Sequence, residues 1–296
     1  MGVSGTRGEG GEDARFHGRT EHSSGRPANG AAASGREQSG TRGEGGEDAR
    51  FHGRTECSSG RPANGAAASG REHSGTRRPR LGLVGGTFDP PHVGHLALAR
   101  AARDALCLDG VRFLPTGRSW QKGPAGADPR QRLEMTQLLI AGIDPAEGLT
   151  VDPREVERGG PSYTVDTLAS LRAELGPEIA LVWVLGADQL RNLHTWHRWT
   201  ELFDHAHVAA TARGPDALDA LPEPIESALR TRGRDALPDA PAGSIVTFRM
   251  PPVPVSATAL RAQLARGEPA DGLSPPAVLD YIGSHRLYRE PSHRRA

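Results

Sequence analysis

Residues 81–96 read LGLVGGTFDPPHVGHL, and this stretch decides the fold. Leu81 to Val84 is apolar and short, as a buried strand is; Gly85 and Gly86 allow a sharp turn; Asp89, Pro90 and Pro91 make a stiff loop. From His95 the pattern LALARAA predicts a helix through residue 102. A strand feeding a helix through a glycine turn leaves the helix's first N–H groups without partners, and such an end attracts anions. His92 and His95 stand three residues apart at that entrance, so both imidazoles can face one bound group and hydrogen-bond to its oxygens.

Outward from this unit, strands and helices alternate. Strands are predicted at residues 110–114, 149–151, 179–185, 207–211 and 245–248, with helices at 130–140 and 163–175 between them. Residues 179–185 are almost wholly apolar, as expected of a parallel strand covered on both faces. Residues 256–265 and 276–283 form a small C-terminal helical part that packs back on the sheet. The Pro-, Ala- and Asp-rich stretch 214–243 reads as a surface insertion with one helix near residues 225–231. The expected class is α/β, a Rossmann-like doubly wound parallel sheet with ligands beyond the carboxyl ends of its strands.

The first quarter is different. Residues 4–38 recur as 39–73 with only two changes, and each copy holds one large apolar side chain, Phe16 or Phe51. Such a composition buries too little to offset chain entropy, so residues 1–79 are expected to be a disordered repeat tail. The folded domain is expected over 80–290, and 291–296 as a short tail. Arginine balances acid within each copy, and the whole chain carries a formal net charge of +0. This balance argues against a basic arm for nucleic acid or a membrane surface. No apolar run is long enough for a membrane span or a secretory signal, so a cytoplasmic protein is expected, with oligomeric state left open. Among 36 basic residues Lys122 is the only lysine, which suggests a task suited to a compact ammonium group.

Several blocks occur in a telling order: GGTFDPPHVGHL at Gly85, LPTGRSWQK at Leu114, PSYTVDTL at Pro161, WVLGADQL at Trp183, HTW at His194, VSATALRAQL at Val255 and YIGSHRLYR at Tyr281. On these residues the chain resembles the H-x-G-H nucleotidyltransferases and, within them, the bacterial nicotinate-nucleotide adenylyltransferases. The resemblance implies adenylyl transfer from ATP to nicotinate mononucleotide, giving deamido-NAD and pyrophosphate. It makes His92, His95 and Arg261 the catalytic groups. For ATP it implies a site built from Gly85, Gly86, Thr87, Phe88, His92, His95, Gly186, Asp188, Ser256, Thr258 and Arg261.

Read without the resemblance, Ser256-x-Thr258-x-x-Arg261 is a helix cap that could also point amides, a hydroxyl and a charged fork at phosphates. Asp188 could equally cap the helix that follows it. The resemblance places Tyr163, Thr164 and Trp196 around the acceptor, where an aromatic face and backbone amides suit a pyridine carboxylate, and Lys122 at a substrate phosphate, of the acceptor or of ATP. Magnesium is expected to arrive on the substrate phosphates, because no cluster of side chains has metal-ligand spacing. Asp89 could either reach a metal-bound water or stabilise its turn. The competing readings are a same-fold transferase acting on nicotinamide mononucleotide or phosphopantetheine, and a non-catalytic nucleotide-binding scaffold.

Overall fold

The computed structural model describes residues 77–118, 126–212 and 220–289. The tandem repeat, Lys122 and residues 291–296 lie outside them.

Seven parallel strands form one sheet, in the order β3 (Leu149–Val151), β2 (Gly110–Pro115), β1 (Arg80–Gly86), β4 (Ala180–Gly186), β5 (His207–Ala212), β7 (Ile245–Arg249) and β6 (Gly233–Arg234). From β1 the chain runs to β2 on one side, while β4 begins the other side. The order therefore reverses between the carboxyl ends of β1 and β4, where doubly wound sheets bind their ligands. Six of the seven β4 residues are buried, which explains the unbroken apolar run ALVWVLG.

Alternation along the strands divides the core between the two faces. Val84, Phe113, Val182, Val184 and Ala209 point to one face, where they meet α1 (Val93–Leu106), α2 (Pro129–Ile140) and α9 (Pro276–Ser284). Leu83, Leu114, Leu181, Trp183 and Val208 point to the other, against α4 (Thr164–Leu175), α6 (Leu202–His205) and α7 (Glu223–Arg232). In α1 the buried residues Leu96, Ala99, Ala102 and Leu106 follow helical spacing. α2 starts where its capping box dictates: Asp128 Oδ1 accepts from the Gln131 N–H at 2.9 Å, and Gln131 Oε1 accepts from the Asp128 N–H at 3.0 Å.

Three short helices, α3 (Arg154–Arg158), α5 (Ala187–Asn192) and α6, were not expected, since four to six residues show no periodicity. Part of the stretch read as a surface insertion is core instead. Leu221, Ile225 and Ala228 are buried under the second face, and Gly233–Arg234 adds the edge strand. Within α7, Glu223, Pro224 and Glu226 lie on the outward side.

The folded body also begins before Arg80. Arg77 makes two hydrogen bonds to the Asp109 carboxylate, at 2.7 and 3.0 Å, and the Arg80 N–H donates to the same group. Against its own burial, these bonds hold the Asp109 carboxyl below the usual range. The Pro79 carbonyl accepts from the Ala180 N–H at 2.8 Å. Truncation before Arg77 should leave melting temperature and activity near those of the full chain. Truncation before Arg80 removes the half-exposed Arg77 ion pair, the Arg78 bonds to Pro177, Glu178 and Asp239, and a backbone contact, together worth about 2 kcal/mol, or ~6 °C in a melting scan. Equal melting temperatures for the two truncations would return the boundary to residue 80.

The preference for arginine has a structural reason at Arg172. Its guanidinium bonds the carbonyls of Gly176, Ile179, His205 and Pro241 at once, a task for a planar fork that an ammonium group cannot copy. Among the described residues no helix is long and apolar enough to cross a membrane.

Candidate active site

At the carboxyl edge of β1 and β4 lies a cavity of about 720 Å³. The β1–α1 turn forms one wall through Gly85, Gly86, Thr87, Phe88, His92 and His95. Gly186 and Asp188 enter from the end of β4, while Ser256, Thr258 and Arg261 enter from α8 (Ala257–Ala265). Residues from 85 to 261 are thus brought to one space by the sheet order. Thr164 and Trp196 line it as well. Tyr163 does not: its ring lies against His197, with centroids 4.3 Å apart, and packs on the core of the second face.

The two histidines are locked together. The His92 N–H donates to His95 Nδ1 at 3.1 Å, and the rings stack with centroids 3.8 Å apart. Because Nδ1 of His95 accepts, its ring proton sits on Nε2, so even the neutral ring is a donor there. Phe88 buttresses this pair edge-on, its ring 4.9 Å from that of His95. It does so with φ of 50°, a conformation in which a bulky side chain is strained, as happens where a loop must present groups to a ligand.

Gly85 is required by a close neighbour: a Cβ there would stand 2.4 Å from the Trp183 indole. One on Gly186 would stand 2.5 Å from Asp188 Oδ1, the end of an exposed side chain that can move aside. Nothing in sequence spacing pairs Gly85 with Trp183; the register does, since Leu83 lies opposite Trp183.

α8 opens as expected, with Ser256 Oγ accepting from the Ala259 N–H at 3.2 Å. Arg261 spans the site. Its Nη1 donates to the Asp89 carbonyl at 2.6 Å and its Nη2 to Thr258 Oγ1 at 3.3 Å. Asp89 is the hub of the wall. Its carboxylate accepts from the Gly126 N–H at 2.8 Å, the Ala127 N–H at 3.1 Å and the Tyr288 hydroxyl at 2.7 Å. Burial, and then the bond and charge of Asp89, hold the Tyr288 phenol well above its ordinary value. Arg132, only 2% exposed, completes the scaffold by bonding the carbonyls of Thr87, Gly117 and Ala127. Sequence reasoning missed Arg132 and Tyr288 as site-building residues. Arg132 reaches Thr87 across 45 positions and Tyr288 reaches Asp89 across 199, which no local pattern reveals.

On the other side of the cavity, Ser162 Oγ accepts from the N–H groups of Gly117 and Arg118, and buried Glu155 accepts from the Thr167 hydroxyl at 2.8 Å. Trp196 Nε1 is buried with no hydrogen-bond partner among the described residues. Burial above all, against bonds from Thr167 and Ser162 and the charge of Arg158, raises the Glu155 carboxyl above the usual range. A raised carboxyl adds stability that is full below its unfolded pKa, about 4.5, and is lost as pH climbs through the folded value. Glu155→Gln should therefore match the wild type in melting temperature near pH 4.5 and exceed it increasingly toward pH 8. A gap that stays constant with pH would show that ionisation of Glu155 is not responsible.

Among the described residues no group of three His, Cys, Asp or Glu could hold a metal ion. The Asp89 oxygens accept from two amides and a phenol of distant segments, a role that neither of its two readings included. A divalent ion fits here only as a companion of bound phosphates, with oxygen ligands and water of its own.

A parallel sheet that sets His-x-Gly-His at one helix entrance against Ser-x-Thr-x-x-Arg at another defines a nucleotidyltransferase of the H-x-G-H class. Residues 83–263 match the family model described as cytidylyltransferase-like. The chain is 48% identical over 216 residues to a protein of Laribacter hongkongensis (strain HLHK9) named "Probable nicotinate-nucleotide adenylyltransferase", covering 73% of this chain and 97% of that protein. It is 44% identical over 215 residues to the protein of that name from Pseudomonas aeruginosa (strain UCBPP-PA14), covering 72% and 98%. In fold it is similar to Plasmodium falciparum nicotinic acid mononucleotide adenylyltransferase complexed with NaAD, with a TM-score of 0.55 at 17% identity over 71% of this chain and 97% of the other. The chain belongs to the cytidylyltransferase-like family and, within it, to the nicotinate-nucleotide adenylyltransferases.

Proposed function

We propose that this chain transfers the adenylyl group of ATP to nicotinate mononucleotide, giving deamido-NAD and pyrophosphate, a step of NAD biosynthesis. The observation that carries the reading is Arg261. It reaches from the Ser-x-Thr-x-x-Arg helix to the carbonyl of Asp89, so both phosphate-binding segments face one cavity.

In this reaction a phosphate oxygen of the mononucleotide attacks the α-phosphorus of ATP. The bond from that phosphorus to the bridging oxygen breaks, and pyrophosphate leaves with the electron pair. The protein supplies position and positive potential, and forms no covalent intermediate. His92 and His95 meet the charge that grows on the α-phosphate and the bridging oxygen. Ser256, Thr258, Arg261 and the start of α8 hold the β- and γ-phosphates. Magnesium bound to those phosphates would neutralise part of their charge. Asp188, folded over Gly186, faces the nucleoside.

For the acceptor, α4 begins at Thr164 on the cavity wall, and the amides of a helix's first turn suit a carboxylate. The Trp196 indole, whose N–H has no partner among the described residues, lines the same cavity. These features favour nicotinate over nicotinamide. A chain that consumes ATP and a mononucleotide would work in the cytoplasm, where both are made. Purified full-length protein with ATP, Mg²⁺ and nicotinate mononucleotide should release pyrophosphate and dinucleotide in equal amounts. Faster turnover with nicotinamide mononucleotide or phosphopantetheine would replace the acceptor assignment, and no pyrophosphate with any of the three would leave a nucleotide-binding scaffold.

Lys122 is assigned to a substrate phosphate. Lys122→Ala should raise the KM for one substrate by ~10- to 30-fold through loss of a charge-assisted bond, and Lys122→Arg should restore only part of it. Which substrate is affected identifies the phosphate; unchanged KM for both would remove Lys122 from the site.

A further inference from the structure

Of the cavity's polar groups, the Thr211 hydroxyl has no place in the reading above. Thr211 is 1% exposed, lines the cavity, and its Oγ1 is buried with no hydrogen-bond partner among the described residues. Other buried threonines are not left so: Thr136 donates to the Arg132 carbonyl at 2.7 Å and Thr167 to Glu155 at 2.8 Å. A hydroxyl taken from water without compensation destabilises the ligand-free protein, and such a group in a binding cavity calls for a ligand atom.

Register fixes where that atom would be. Val184, Ala209 and Val246 are partners across β4, β5 and β7 and belong to the core on the α1 face. Two residues further on, at the carboxyl edge, the same face carries Gly186, Thr211 and Phe248. Gly86, two residues beyond Val84, occupies the corresponding level of β1. The row thus runs from Gly86, covered by the Phe88 ring, through Gly186, covered by the Asp188 carboxylate, to one hydroxyl. Thr211 lies two strands from β1, roughly 10 Å across the sheet. That is the direction in which a nucleoside must extend if its phosphates sit at the entrance of α1. The cavity lining includes apolar Leu98, Val184, Met250 and Val253 beside polar Asp188 and Gln189. Apolar walls with a few polar groups suit a flat base, which has apolar faces and a hydrogen-bonding edge.

We propose that the Thr211 hydroxyl hydrogen-bonds the edge of the purine base of ATP and so contributes to base recognition. This rests on the reading of the site as ATP-dependent.

Thr211→Val and Thr211→Ser, made in the full chain, test it. Without ligand, Thr211→Val should melt at or above the wild-type temperature, because a methyl replaces a hydroxyl that has no partner. Calorimetric binding of ATP alone should weaken by about tenfold in Thr211→Val and by no more than ~3-fold in Thr211→Ser, the loss of one buried hydrogen bond. The KM for ATP should follow, with kcat and the KM for nicotinate mononucleotide unchanged. The penalty should persist with 2′-deoxy-ATP. It would be overturned by unchanged ATP binding, by a lowered melting temperature, by equal losses in both variants, by a loss confined to the mononucleotide, or by a penalty that vanishes with 2′-deoxy-ATP. A wild-type protein that binds ATP but makes no dinucleotide would instead count against the proposed reaction and leave the base contact standing.

Discussion

His95→Ala lowers turnover by about two to three orders of magnitude while the protein remains folded, because it deletes a donor aimed at charge that develops in the transition state. The geometry sharpens this expectation. His95 Nδ1 accepts the His92 N–H, so the ring turns Nε2 outward in one tautomer, and its position is further set by Phe88 on one side and the His92 ring on the other. His95→Asn keeps a donor but not its reach, and should recover only a small part of the loss. Steady-state kinetics with both substrates saturating, next to a melting scan, is the measurement. Turnover within a few-fold of wild type in a folded His95→Ala protein would remove His95 from the reaction.

The second large effect is expected at Asp89, which touches no reacting atom in the proposed scheme. Asp89→Ala strips the acceptor from two backbone N–H groups and from the Tyr288 hydroxyl. Leaving such groups without a partner costs on the order of 3 kcal/mol, or ~10 °C in melting temperature for a body of this size. Activity should fall as well, since the Asp89 carbonyl, which holds Arg261, belongs to the same loop. Tyr288→Phe separates the two effects. It removes one bond to the carboxylate and keeps the ring, so a loss of about 1 kcal/mol with kcat nearly intact is expected. A stable, fully active Asp89→Ala protein would show that the loop holds its shape through Arg132 alone.

Tyr288 lies beyond residues 83–263, the span matched to the family model, yet it anchors the wall of the cavity. The last turn after α9 is therefore part of the site's scaffold. Removing residues from Leu287 onward should resemble Asp89→Ala more closely than it resembles a trimmed surface tail.

Short-range physics made much of this legible in sequence. The strand–glycine–helix unit at 81–96, the Ser256 cap and the stop of α4 at Gly176 depend on neighbours within about four positions, and the structure has each of them. The apolar run of β4 announced a covered parallel strand for the same reason. Acidic and proline-rich letters misled at residues 220–234, because they record the solvent side of α7 while Ile225 and Ala228 face the core.

What the sequence by itself determined is the class of sheet and the two helix starts that the fold turns toward the cavity, since these follow from periodicity, capping and glycine turns. Only the tertiary structure decided that Asp89 is a hub, that Trp183 covers Gly85, that Tyr163 turns away while Thr164 faces the cavity, and that Thr211 is buried without a partner among the described residues. Those contacts join positions as far as 199 residues apart, Tyr288 to Asp89. Strand order and register bring them together, and no local pattern of residues encodes either one.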